Sequence, residues 1–393
     1  MTDDWGSHGS PHNLPHHLTS FIGRERERAE ITQRLGETRL LTLTGPGGCG
    51  KTRLGLEVAF SLVGDGALAG GVWVVELAAL ADPALVPQAV ALALGAREAS
   101  GRPLTEVLID YLGPRSLLLL LDNCEHLVEA CAQLVETLLR GCPKLHVLAT
   151  SREPLRISGE VTWLVPSLRL PSSLSESSFE EIAHAEAVRL FVERAAAVQS
   201  NFTLSPQNAA VVTKICHDLD GIPLAIELAA ARVNVLSVEQ IAERLDDALR
   251  LLTGGSRTAL PRQQTLQATI EWSYQLLSEP ERILFRRLAV FSGKFSLEAV
   301  EAVCSADEIK TVDVLDLVSH LVDKSLMLRR ERSGQAWYRL LETIRQYSSS
   351  LLSAAESASL QQTHARYYLA LAEAIAPKLN QPDRRTWLEK LDV

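Results

Sequence analysis

Apolar positions in the first 166 residues fall into short runs separated by amphipathic stretches, the alternation that builds a parallel sheet from βαβ units. Residues 40–44 (LLTLT) read as a strand, and the next stretch places Leu54, Val58 and Leu62 on one helical face. A second strand is expected over 71–77 (GVWVVEL), followed by helical stretches near 83–94 and 103–112. Five consecutive leucines, 117–121, are too apolar for a half-exposed strand, so this strand is expected to be central and covered on both faces. Leu127, Cys131, Leu134 and Leu138 then mark a helix, and 145–150 and 161–165 supply two more strands. The text changes at Pro166 to the Ser- and Pro-rich PSLRLPSSLSESSFEE, a surface connection. Residues 182–252 are helical in pattern throughout, and TGGSRTALPRQQ forms a second linker. Helical stretches near 280–290, 296–303 and 311–323 precede two β-like runs, 325–328 and 337–340, around the turn RERSGQA. Three helices and a hairpin in this order predict a winged helix.

These patterns imply six segments: a flexible tail (1–19), an α/β domain (20–166), a linker (167–181), an all-helical domain (182–253), a winged helix (254–352), and the start of a further helical region (353–393) whose pattern runs to the last residue. The expected fold class is therefore an α/β domain with a five-stranded parallel sheet, followed by all-helical and winged-helix parts. The tail holds His8, His12, His16 and His17; Cys and acidic partners at zinc spacing are missing, which favours a flexible lead-in over a metal arm. A length of 393 residues fits two to three domains, and 46% hydrophobic with 22% charged residues excludes wholesale disorder. The net charge of −9 argues against a protein that coats nucleic acid non-specifically. Six cysteines without a C-x-x-C pair read as reduced, buried thiols, and no run approaches a membrane span, so a cytoplasmic protein is expected.

The segment Gly45-Pro-Gly-Gly-Cys-Gly-Lys-Thr52 fits G-x-x-x-x-G-K-[ST] between a strand and an amphipathic helix. Gly45, Gly47, Gly48, Cys49 and Gly50 let successive N–H groups face a β-phosphate; Lys51 bridges β- and γ-oxygens, the Thr52 hydroxyl holds Mg²⁺, and Arg53 follows in the first helical turn. A P-loop needs an acid at the end of another strand for the magnesium, and Asp122 provides it; its alternative role is a helix N-cap. Asn123 stands where many ATPases carry a second acid. Glu125 is then the nearest candidate base, or else a solvated first-turn glutamate, so slow hydrolysis is expected. Arg152, just past another strand, is placed to reach a γ-phosphate at the carboxyl edge of the sheet, its alternative being a surface arginine.

Together, FIGRERE (21–27), LTGPGGCGKTRL (43–54), LLLLLDNCEHL (117–127), VLATSREPL (147–155), GIPLAIELAAAR (221–232), LPRQQTLQATIEWSY (260–274), LVDKSLM (321–327) and YRLLETIRQYS (338–348) resemble, in order, the STAND class of P-loop NTPases. The resemblance is to its AP-ATPase or NB-ARC branch, and within it to the ATPase regions of bacterial AfsR-like and LuxR-type regulators. It implies a helical lid, a winged helix and helical repeats after the nucleotide domain, with ATP or ADP and Mg²⁺ as cofactors. It also implies that Ile22 and Arg24 approach adenine and ribose, that Pro223 packs on the base, and that Arg152 is a sensor arginine. Bottom-up, Phe21 and Ile22 also suit an apolar staple, and Pro223 suits the first position of a helix. One departure stands out: where related switches carry Met-His-Asp with the histidine on the β-phosphate of ADP, this chain has Leu340, Leu341 and Glu342.

The implied function is a switch in which nucleotide exchange opens the chain for self-assembly or for a further protein partner downstream. The alternatives are a plain ATP hydrolase and a DNA-binding regulator. Across 280–352, 11 Lys/Arg stand against 10 Asp/Glu, and the 311–322 helix carries two aspartates and no basic residue, so specific DNA contact is not expected.

Overall fold

A computed structural model describes residues 11–15, 19–64, 68–97, 99, 101–171, 178–252, 265–306, 308–332 and 334–376. The chain divides into two compact units, Met1–Leu168 and Arg169–Val393.

The first unit runs α1 (Glu25–Glu37), β1 (Leu40–Thr44), α2 (Lys51–Leu62), β2 (Gly71–Glu76), α3 (Val86–Leu94), α4 (Leu104–Leu112), β3 (Leu117–Asp122), α5 (Val128–Gly141), β4 (Leu145–Thr150) and β5 (Val161–Leu164). The five strands form one parallel sheet in the order β2-β3-β4-β1-β5. The leucine run of β3 divides between the two faces, as its composition requires. Leu117, Leu119 and Leu121 pack with Val90, Leu108, Leu134 and Leu138 from α3, α4 and α5. Leu118 and Leu120 pack with Leu41, Leu43, Leu54 and Val58 of β1 and α2. The register places Leu43 beside Thr150 and Leu121 beside Ala149, so the ends of β1, β3 and β4 open on one edge.

Residues 11–15 correct the expectation of a flexible tail. Val72 donates its N–H to Pro11 O at 3.0 Å. Asn13 mimics a strand, its side chain accepting from Val74 N at 2.7 Å and donating to Val74 O at 2.9 Å. Leu14 is buried in the β1/α2 core. His12 lies edge-on to Phe60 at 6.2 Å and accepts from Leu14 N, a structural use of that histidine; His8, His16 and His17 lie outside the described residues. This strap covers the free edge of β2. Gly71 makes room for it: its φ is +94°, and a Cβ there would lie 2.0 Å from Pro11 O. Gly71→Ala is therefore expected to displace the strap and lower stability by about 1–2 kcal/mol, read as an earlier thermal transition and faster hydrogen exchange at Val72 and Val74. Exchange identical to wild type would refute it.

The second unit begins with α6 (Phe179–His184), α7 (Glu186–Val198), α8 (Ala209–Asp218), α9 (Pro223–Ala230), α10 (Val238–Glu243), α11 (Ala248–Leu251) and α12 (Leu266–Gln275). Part of the expected first linker is thus a helix, started by a capping box between Ser178 and Glu181, while 172–177 and the second linker, 253–264, lie outside the described residues. The winged-helix part is α13 (Glu279–Arg287), α14 (Leu297–Cys304), α15 (Val314–Asp323), β6 (Leu328–Arg332), β7 (Gln335–Arg339) and α16 (Glu342–Ser350), with α17 (Ala354–Ile375) after it. The first strand of its hairpin sits farther along than the apolar run 325–328 suggests, while the second overlaps the expected 337–340. Leu326 and Met327 are buried in the turn after α15, where Ser325 takes φ 56°, and the charged LRRER forms the strand itself. A two-stranded ribbon leaves much of itself to water, so charged residues suit it.

All six cysteines are free and buried. Among the described residues, no helix is long and apolar enough to cross a membrane.

Candidate functional site

β1 ends at Thr44, and the chain turns through 45–50 into α2, whose N-cap Gly50 is left-handed at φ 91°. Gly45 (φ 148°) also tolerates no side chain, since a Cβ would meet Cys49 Sγ at 2.9 Å. Cys49 is fully buried beneath the loop. The Lys51 ammonium folds over its own loop, donating to Gly45 O at 2.7 Å and Pro46 O at 3.1 Å. The Thr52 hydroxyl donates to Asp122 Oδ1 at 2.7 Å, and the Thr150 hydroxyl donates to the same oxygen at 2.6 Å. Residues from three strand ends thus meet at the sheet edge. The partners of the Asp122 carboxylate are side chains, so its alternative as an N-cap does not describe it. Burial pushes its carboxyl above the usual range; the Thr150, Thr52 and Lys51 groups oppose the rise, and the charge of Glu125 adds to it.

Thr150, which sequence reasoning used only as a strand end, also accepts from Asn123 N at 2.9 Å. Asn123 is left-handed (φ 70°) and leads into a short 3₁₀ turn, Cys124–His126. That turn buries Glu125 rather than exposing it, with Arg152 Nε 3.3 Å from its Oε1. Neither the solvated glutamate nor the surface arginine describes this pair.

Arg24 engages the P-loop. Its buried guanidinium donates to Cys49 O at 2.6 Å and to Pro166 O at 2.9 Å, clamping the P-loop backbone to the segment after β5. Ile22 is half-buried, and Phe21 packs on the β1/α2 core. Arg53 bonds to Thr19 and pairs with Glu57 at 3.7 Å, which ties α2 to the chain ahead of α1. In the second unit, Pro223 opens α9. Just before it, the buried, left-handed Asp220 (φ 52°) accepts from Arg339 Nη2 at 2.7 Å and from Glu342 N at 2.6 Å, closing the first turn of α16. Leu341, the residue in place of histidine, is 3% exposed at the N-cap of α16.

The winged helix-turn-helix domain family matches residues 277–353. This counters the expectation that the chain makes no specific contact with DNA, since modules of this type dock on duplexes. The outward side of α15 and the turn before it carries Val312, Asp313, Leu315 and Asp316. The Mycobacterium tuberculosis protein named "Putative HTH-type transcriptional regulator Rv0890c" is 46% identical over 341 residues, 87% of this chain and 37% of that one. The chain therefore spans little more than a third of that relative's length. "Uncharacterized protein Rv0894" of the same organism is 41% identical over 357 residues, 91% of this chain and 86% of that one. Among solved structures, the Walker-type ATPase PABY2304 of Pyrococcus abyssi aligns over 84% of this chain and 95% of its own at a TM-score of 0.53 and 13% identity, a likeness of fold. With 41% identity across 91% of this chain and 86% of the relative, the chain belongs to the family of Mycobacterium tuberculosis Rv0894.

Proposed function

We propose that the chain is an ATP- and ADP-binding regulatory switch of the STAND class, in its NB-ARC branch, in which nucleotide exchange controls rearrangement and self-assembly in the cytoplasm. The observation that carries this is the meeting of Lys51, Thr52, Asp122 and Thr150 at the carboxyl edge of a parallel sheet, where open α/β folds bind ligands. Lys51 would exchange its loop carbonyls for phosphate oxygens, and Arg152 would answer a γ-phosphate. Arg24 acts by shaping the loop through Cys49 O. The approach of Ile22 to the base belongs to the same proposal. The donor set suits magnesium: a hydroxyl and a carboxylate, both hard oxygen ligands, lie 2.7 Å apart, and burial of the carboxylate favours a nearby cation. Mg²⁺ held by Thr52 and Asp122 would neutralise charge on the phosphates.

Hydrolysis is expected to be slow, well under the ~10 s⁻¹ of a median enzyme, because Asn123 replaces a second acid and Glu125 is engaged by Arg152. Mass spectrometry of small molecules released on denaturing the purified chain should find ADP or ATP, and light scattering should show larger assemblies with ATP than with ADP. A nucleotide-free chain that binds neither in calorimetry would overturn the reading.

The winged helix-turn-helix match and the regulator relative favour a second reading, a DNA-binding transcriptional regulator. Retention of a defined duplex over random competitor at 150 mM salt, lost on mutating α15, would establish it; equal retention of both duplexes would reject it.

A further inference from the structure

Glu125 and Arg152 are 5% and 7% exposed at their side chains, and their position follows from the fold. The turn carrying Glu125 is held on both sides: Asn123 N donates to Thr150 Oγ1, the His126 ring bonds Leu80 O at 2.9 Å, and Leu127 N closes on Cys124 O at 2.9 Å. Arg152 leaves β4 two residues after Thr150, whose hydroxyl bonds the Asp122 carboxylate. One interlocked set thus joins the magnesium-site acid, the turn after it and the arginine.

We propose that Glu125 is a positioning residue that withholds Arg152 from a γ-phosphate and thereby sets the preference between ATP and ADP. The inference rests on the nucleotide-site reading above and adds its regulation. Two charges this deeply buried are tolerable because they neutralise each other. A γ-phosphate offers Arg152 a second anion, but accepting it strips Glu125 of a countercharge beside Asp122, whose carboxyl already feels the Glu125 charge. ADP brings no γ-phosphate and leaves the pair intact. The penalty therefore falls on ATP alone, and only through Arg152.

Calorimetry of the full chain with Mg-ADP and with the slowly hydrolysed Mg-ATPγS, on wild type, Glu125→Gln, Arg152→Gln and the double variant, tests this. Glu125→Gln keeps the shape and removes the charge; it should tighten ATPγS binding by about tenfold, the scale of one bond to a charged group, and leave ADP affinity unchanged. In the Arg152→Gln background the same change should do nothing, which separates an effect through Arg152 from plain repulsion between Glu125 and the phosphates. An unaltered ATPγS-to-ADP ratio in Glu125→Gln, or an equal gain with and without Arg152, overturns the proposal while leaving the nucleotide site standing. So does a fall in ATP turnover with no change in the affinity ratio, which would make Glu125 the base. Failure of wild type to bind either nucleotide overturns the site and the inference together. Circular dichroism checks that each variant is folded.

Discussion

Lys51→Ala is expected to weaken ATP binding roughly ten- to a hundredfold, the loss of one charge-assisted contact of about 1.5–3 kcal/mol. ADP should suffer less, because part of the contact is with the γ-phosphate. The ammonium already spans Gly45 O and Pro46 O, so its hydrogen bonds need only change partners, and the loop need not be rebuilt. The substitution also removes that support from the loop, but Arg24 on Cys49 O and the left-handed Gly50 remain to hold its far end. The fold should therefore persist by circular dichroism while affinity falls in calorimetry. Equal ATP affinity in wild type and variant would mean that the loop binds no phosphate.

What the sequence showed and what it hid follow from the range of each interaction. The β3 leucines could only belong to a strand covered on both faces, and the P-loop is legible because its chemistry is contiguous between a strand and a helix. The strap at 11–15 has one buried leucine and no period; what docks it is the amide of Asn13 imitating a backbone, 61 residues away in sequence from its partner. The first strand of the hairpin lies beyond the apolar run 325–328 because Leu326 and Met327 are apolar for the sake of the turn, while the strand itself is charged. Arg24 was read toward the base from its motif, and only the fold, which brings Cys49 and Pro166 together, shows the clamp. The pairing of Glu125 with Arg152 depends on one left-handed residue, Asn123, that no periodicity announces.

Asp220 is another long-range case, its partner Arg339 lying 119 residues on, and it yields a pH-dependent expectation. Burial pushes the Asp220 carboxyl above its usual range, while Arg339 and the N–H of Glu342 pull it back only in part. A carboxyl raised in the folded state contributes stability that is present below its unfolded pKa, near 4, and lost as pH rises through the folded value. Arg339→Gln removes the countercharge, so the folded value climbs further and the loss deepens. The Arg339 side chain is 43% exposed, which places the effect near the lower end for a bond to a buried charge, about 2 kcal/mol at neutral pH. Because Asp220 closes the first turn of α16, the amide of Glu342 reports it directly. Its exchange should quicken by roughly thirtyfold relative to wild type at pH 7.5, and the ratio should shrink as pH falls and the carboxyl protonates. In an Asp220→Asn background, Arg339→Gln should give a small ratio that does not vary with pH. A ratio that stays flat with Asp220 present would mean that the carboxylate does not hold this turn, and that Arg339 matters only through its packing.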